Sequence, residues 1–330
     1  MDETGRTLLL DCLMEKIKFQ HLDLPIIRSC NLACKGCMTH SDHKNIKGLV
    51  RVEESREWLK FWSERLEPEH ITLFGGEPLL HPEFVDWAVA IREIWGPEVT
   101  ISLNTNGYYL DTLLPHIEKL FSEEIGLSIV VSVQTGIEPY LSKVYQNINL
   151  IKDAIAEHRG GQWTLWLDEY DVNFKRWYGL DIGTFRSRAG FTVCDQHKLH
   201  WCLHYTGKGS DMRPVYTYDD TWYEPNHNLC HTKNFVTLYK GQMYKCPPIG
   251  VLEHSLTTFD IDKTPEWAPY LQNYKTVGPQ STDEEISAWF EQQKCPEKVC
   301  NMCGFMGPNG GSISGDDRSH VLKNFWNYTL

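Results

Sequence analysis

Three thiols within eight residues, Cys30, Cys34 and Cys37 in SCNLACKGCMTH, restrict this chain more than any other stretch. The next cysteine is Cys194. Eight residues span at most ~28 Å when extended, so thiolates meeting at one site force the loop to wrap tightly. The small Ala33 and Gly36 suit that close backbone approach. A tetrahedral zinc site needs a fourth ligand, and His40 or His43 is near enough in sequence to supply it. A cubane iron–sulfur cluster instead has four irons, each normally held by one thiolate, so three thiolates leave one iron for an outside ligand.

The chain has 330 residues, enough for one large domain or two ordinary ones with a full-sized core. Its formal charge of −12 argues against a nucleic-acid partner, because phosphate binding needs a basic face. No apolar run reaches ~18 residues, so neither a membrane span nor a membrane partner is expected. TLLLDCLM, interrupted by Asp11, is too short for a signal peptide, and the expected location is cytoplasmic. There the eleven cysteines, odd in number and grouped, read as reduced metal ligands rather than disulfides.

Short apolar runs alternate with amphipathic stretches. Strands are expected over 24–29, 70–74, 99–104, 127–133, 163–167 and 190–194, and helices over 52–66, 81–95, 112–121 and 138–158. Trp58 and Trp62, at helical spacing, read as core. Strand–helix alternation with near-continuously apolar strands implies an α/β fold with a parallel sheet under helices. Six repeats are too few for a closed eight-fold barrel, so an open, partial (β/α)6 TIM-like barrel is expected. Chemistry in such folds gathers at the carboxyl ends of the strands. The cysteine loop, GGEP at 75–78, NTNG at 104–107 and QTG at 134–136 all follow strands.

The pattern changes near residue 195. NFVTLYKGQMYKC (234–246) predicts a hairpin turning at Lys240–Gly241, and STDEEISAWFEQQ (281–293) predicts a helix capped by Ser281 with Glu284. Two units follow: 1–195, and a smaller, metal-organised 196–330. GPNGGSISG (307–315) reads as a flexible segment with no attached mechanism.

Cys-x₃-Cys-x₂-Cys directly after a first strand resembles the signature of the radical S-adenosylmethionine (SAM) superfamily. FGGEPLLHPEF (74–84) and LNTNG (103–107) resemble that family's second- and third-strand loops, in the same order. The residue before the third cysteine is often aromatic in the family and is Gly36 here. The resemblance implies that Cys30, Cys34 and Cys37 ligate a [4Fe–4S] cluster whose open iron binds SAM. Gly75, Gly76, Glu77 and Pro78 would cradle the methionine end of SAM. Asn104, Thr105 and Asn106 would face SAM or substrate, with Ser132 and Gln134 at the next strand end. One-electron cleavage of SAM would then give a 5′-deoxyadenosyl radical that takes a hydrogen atom from a substrate C–H bond.

Cys230-x₁₀-Gly241-x₄-Cys246 resembles the opening of the auxiliary-cluster extension called SPASM or, when shortened, twitch. That implies a second [4Fe–4S] cluster held by Cys230, Cys246, Cys300 and Cys303, with Cys295 in reserve; a zinc knuckle is the alternative. Cys194 and Cys202 are candidate hydrogen donors, or inert buried cysteines. His197, His200 and His204 suit a polar pocket lining or a metal site, and Asp168 and Glu169 suit a substrate hydroxyl or ammonium, or a solvated loop.

The expected activity is dehydrogenation or epimerisation of a small polar metabolite of sugar, aminoglycoside or nucleoside type. A low-potential donor of flavodoxin or ferredoxin type would supply electrons. Fewer than 30 residues precede Cys30, which is too few for a separate peptide-recognition domain; a peptide substrate is the runner-up. From a different class, a non-catalytic two-zinc module is the alternative.

Overall fold

The computed structural model describes residues 15–160, 162–166, 175–181, 190–194, 201–230, 233–304 and 312–313. Nine strands form one open sheet: β1 (Ile17–Ile27), β2 (Leu66–Gly75), β3 (Thr100–Thr105), β4 (Ser128–Ser132), β5 (Gln162–Trp166), β6 (Lys175–Asp181), β7 (Gly190–Cys194), β8 (Phe235–Tyr239) and β9 (Gln242–Tyr244). Their order is β9-β8-β1-β2-β3-β4-β7-β6-β5. The six neighbours from β8 to β7 run parallel. β9, β6 and β5 are antiparallel additions at the two edges.

The strand β1 shows why the sheet is parallel and covered. Its first half alternates in burial, while Leu22 to Ile27 is continuously buried, as a strand covered on both faces requires. The covering helices are α1 (Val52–Ser63), α2 (Phe84–Trp95) and α3 (Tyr140–Arg159). α1 buries Val52, Ser55, Leu59 and Trp62 on one stripe. Trp62 is wholly buried, and its indole N–H donates to the Gly241 carbonyl at 2.9 Å, so α1 also anchors the hairpin turn. Trp58 lies beneath Gly241, half-buried against the same core.

The order departs from simple alternation after β4. The expected fifth strand exists over 162–166, but it lies at the sheet edge beside β6, a strand that apolar patterning missed. β7, the expected sixth, is the strand that pairs with β4. Only residues 167–174 and 182–189 separate β5, β6 and β7, too short for parallel crossovers of about a dozen residues. An antiparallel meander is what such links permit. The helix expected over 112–121 is mostly a 3₁₀ turn (Leu110–His116) with a single α-turn behind it, since Pro115 removes a backbone donor.

The expected hairpin is present as β8 and β9, with Lys240 and Gly241 both at positive φ, as a two-residue turn matched to strand twist demands. It does not stand apart: β8 pairs with β1, and Val236, Leu238 and Met243 join the main core. α4 (Asp283–Gln293) also packs there through Ile286, Trp289 and Phe290. A second core gathers Tyr205, Met212, Leu256, Trp267, Tyr270 and Met302. The 196–330 stretch thus contributes to both cores. No helix among the described residues is long and apolar enough to cross a membrane.

The cap of α4 lies one residue beyond the expected one. Thr282 accepts from Glu285 N, and the Glu285 carboxylate accepts from Thr282 N at 2.9 Å. Thr282→Ala is expected to cost about 1 kcal/mol in urea denaturation, and Glu284→Ala less than about 0.5 kcal/mol.

Candidate active site

The cysteine loop, β2, β3 and β4 deliver their carboxyl ends to one cavity of about 140 Å³. Cys30, Cys34 and Cys37 line it, together with Gly75, Gly76, Asn104, Thr105, Asn106, Ser132 and Gln134. Cys30 and Cys34 are 9% exposed. Among the described lining residues, no other Cys and no His, Asp or Glu is present. His40 and His43 turn away: His40 is buried edge-on to Tyr205, and His43 pairs with Asp42 at 3.2 Å. Among the described residues, no three His, Cys, Asp or Glu gather at single-ion distance.

Backbone contact explains the glycine pair. Gly76 N donates to Ile27 O at 2.7 Å, and Glu77 N donates to Ser29 O at 2.9 Å, so the end of β2 is zipped to the base of the cysteine loop. A Cβ on Gly76 would lie 2.0 Å from Ser29 O; one on Gly75, whose φ is +141°, would lie 2.2 Å from Ile27 O. The Gly75 carbonyl accepts from Thr39 Oγ1 at 3.0 Å, and that hydroxyl also lies 3.3 Å from Cys37 Sγ.

Glu77 is wholly buried and absent from the described cavity lining, as is Pro78. One carboxylate oxygen accepts from Thr105 Oγ1 at 2.6 Å and Leu79 N at 3.1 Å; the other accepts from Asn106 N at 2.8 Å. Its role is to bind the ends of β2 and β3 together. Burial pushes its carboxyl up to about 7, against the opposing pull of these three donors. Asn106 continues outward: its amide donates to Asn31 Oδ1 at 2.6 Å, and its carbonyl accepts from Tyr140 OH at 2.7 Å. Ser132 Oγ donates to Asn104 Oδ1 at 3.0 Å.

A second, smaller cavity of about 30 Å³ is lined by Cys230, Cys246, Cys300 and Cys303. Cys295 is exposed and outside that lining. Asn226 holds the cysteine-bearing turn by donating to the carbonyls of Cys303 (2.5 Å) and Cys300 (3.3 Å). His204 Nδ1 lies 3.5 Å from Cys303 Sγ. Burial raises the thiols of Cys30, Cys246 and Cys300, the last to about 11. A cationic centre bound among thiols that line one cavity would turn them into thiolates.

The sequence of residues 24–157 matches the family model of the radical SAM superfamily. Residues 24–157 form a radical SAM domain. The chain is 36% identical over 97 residues to the GTP 3′,8-cyclase of Pectobacterium atrosepticum, covering 28% of this chain and 29% of that one. It is 23% identical over 268 residues to the Haemophilus influenzae GTP 3′,8-cyclase, covering 69% and 78%. The first of these curated relatives to match are spanned over about a fifth to two fifths of their own length. A crystal structure of BtrN in complex with AdoMet and 2-DOIA aligns over 88% of this chain and 94% of that one, at 14% identity and a TM-score of 0.43, too loose to carry weight.

A radical SAM domain carries a [4Fe–4S] cluster and uses S-adenosylmethionine. The cavity fits that pair: three thiols ring a space rather than a point, beside glycines whose missing side chains keep the wall close. Of the other candidate residues, Cys194 is buried at the end of β7, opposite Ser132, and is not in the described cavity lining. Cys202 lies in a two-residue strand (Trp201–Cys202), and its side chain is outside the described residues, as are Asp168, Glu169, His197, His200 and most of 307–315. Thr39, Asn31, Tyr140 and Asn226 escaped the sequence reading. Each acts through a contact far along the chain, with no local pattern to mark it.

Gly76→Ala is expected to destabilise the cluster-free protein by about 3 kcal/mol or more, read by urea denaturation. Glu77 has a folded value near 7 against an ordinary 4.5, so its contribution is full below about pH 4.5 and is lost as pH rises through 7. The stability of the cluster-free wild type minus that of Glu77→Gln should therefore fall between pH 4.5 and 7 and level off above; a flat difference would refute the assignment.

Proposed function

We propose that this chain cleaves S-adenosylmethionine reductively at the Cys30/Cys34/Cys37 site and dehydrogenates a small polar metabolite of sugar, aminoglycoside or nucleoside type. The observation that supports it is the pairing of two thiol-lined cavities of different composition: three thiols in one, four in the other. When bound, the first cluster and SAM supply one-electron cleavage of a C–S bond and the 5′-deoxyadenosyl radical that takes a substrate hydrogen atom.

The residues of this chain then have separable tasks. Cys30, Cys34 and Cys37 would hold three irons and leave the fourth for SAM. Gly75 and Gly76 would let SAM approach the backbone, while Glu77, through Thr105 and Asn106, keeps that wall rigid. Asn104, Ser132 and Gln134 offer amides and a hydroxyl to ribose or substrate. The burial of Cys30 and Cys34 would limit the access of water to that side of the cavity. Cys230, Cys246, Cys300 and Cys303 would hold an auxiliary [4Fe–4S] cluster. That cluster would supply an acceptor for one electron, so that loss of that electron and a proton would leave the substrate carbon oxidised. Cys295, exposed and outside that cavity, would not take part.

Dehydrogenation is favoured over epimerisation because Cys194, one candidate for returning a hydrogen atom, is not in the described lining. Kinship with GTP 3′,8-cyclases makes a nucleotide the first substrate to test. Electrons would come from a low-potential flavodoxin or ferredoxin.

The anaerobically reconstituted wild type should be brown, hold about eight irons per chain, and form 5′-deoxyadenosine from SAM with a strong reductant. Cys34→Ala/Cys37→Ala should lose about half the iron and all 5′-deoxyadenosine. Cys246→Ala/Cys300→Ala should keep SAM cleavage and lose product oxidation, and Cys295→Ala should change neither. A colourless, zinc-loaded wild type that leaves SAM intact would sink the proposal.

A further inference from the structure

The second cavity has a charged neighbour that the ligand set does not explain. Lys245 precedes Cys246 and lines the same cavity as the four thiols. Its side chain is 6% exposed. A buried ammonium costs several kcal/mol in desolvation unless its donors and charge are matched. Nζ donates to Gln293 O at 2.6 Å and to Cys295 O at 2.8 Å, and lies 3.0 Å from Glu297 Oε1. These acceptors run from the last residue of α4 through the turn before the 3₁₀ helix Lys298–Met302, which carries Cys300. Lys245 therefore ties the hairpin side of the thiol set to its C-terminal side.

The same position places a fixed positive charge beside the thiols. The opposing charge is Glu297, whose Oε1 lies 3.0 Å from the ammonium. His204, beside Cys303, adds a polar contact to the same set. A four-thiolate cubane is anionic and becomes more so on reduction, so a neighbouring cation stabilises the reduced form more than the oxidised one.

We propose that Lys245 is the positioning residue of the second centre and raises its reduction potential, fitting that centre to accept the electron from the substrate radical. This rests on the auxiliary-cluster reading above. Lys245 joins the two halves of the ligand set and supplies the charge that balances the added electron, which a neutral side chain of similar length would not.

The test uses the full chain, loaded anaerobically, in a Cys30→Ala/Cys34→Ala/Cys37→Ala background, so that only the second centre contributes signal. Iron per chain and the midpoint potential, from an EPR-monitored redox titration, are measured for that parent and for Lys245→Met, Lys245→Arg and Glu297→Gln. Lys245→Met is expected to shift the potential negative, Lys245→Arg to leave it near the parent, and Glu297→Gln to shift it positive. An iron-loaded Lys245→Met with the parent's potential overturns the role of Lys245. Should Lys245→Met fail to hold iron, Glu297→Gln decides: a positive shift supports the charge role, and an unmoved or negative one overturns it. A parent that binds zinc and stays colourless overturns the auxiliary-cluster reading instead.

Discussion

Two parallel strands come together more closely at their carboxyl ends than side chains would allow, and the candidate site depends on that approach. Backbone bonds from Gly76 to Ile27 and from Glu77 to Ser29 extend the β1–β2 ladder into the loops themselves. Only residues without a Cβ fit where Gly75 and Gly76 lie. Once the ends are zipped, Cys30 is set by the first loop, and the buried Glu77 reaches across to position Thr105 and Asn106 from β3. A carboxylate buried for structural reasons is costly, and three donors on two oxygens offset that cost. The thiol cavity is thus a consequence of backbone geometry, with side chains added onto it.

The later part of the chain is joined to this framework rather than appended. β8 continues the parallel sheet from β1, and the hairpin turn rests on Trp58 and Trp62 of α1. The two thiol sets also share one short segment. His204 approaches Cys303 of the second set, while its neighbour Tyr205 donates through its hydroxyl to Asp42 in the loop that follows the first set. Displacing either core would therefore disturb both cavities.

Much of this was legible in advance, for identifiable reasons. Apolar runs marked β1 to β4 and β7 because strands covered on both faces must be continuously apolar. Lys240–Gly241 marked the hairpin because few residues accept the left-handed turn. β6 was hidden because KRWYGLD is neither apolar nor alternating, and missing it left β5 assigned as a barrel strand. The cap of α4 was misplaced by one residue because Ser281 and Thr282 each stand three positions before a glutamate. Which of the two bonds is a matter of backbone direction at the turn. The hydrogen bonds of Glu77 to β3 were not legible, because a motif names residue types without saying which way each side chain turns.

The spacing of Cys30, Cys34 and Cys37 by itself determined that a tight loop would carry three thiols. The grouping of the later cysteines determined that a second set existed. Local spacing suffices there, because short chain segments limit how far apart their own side chains can be. Only the tertiary structure decided that His40 and His43 turn away from the first cavity, that Cys295 lies outside the second, and that Lys245 stands beside it. Those outcomes depend on contacts between residues tens to hundreds of positions apart, which form only when the sheet order brings distant strand ends together.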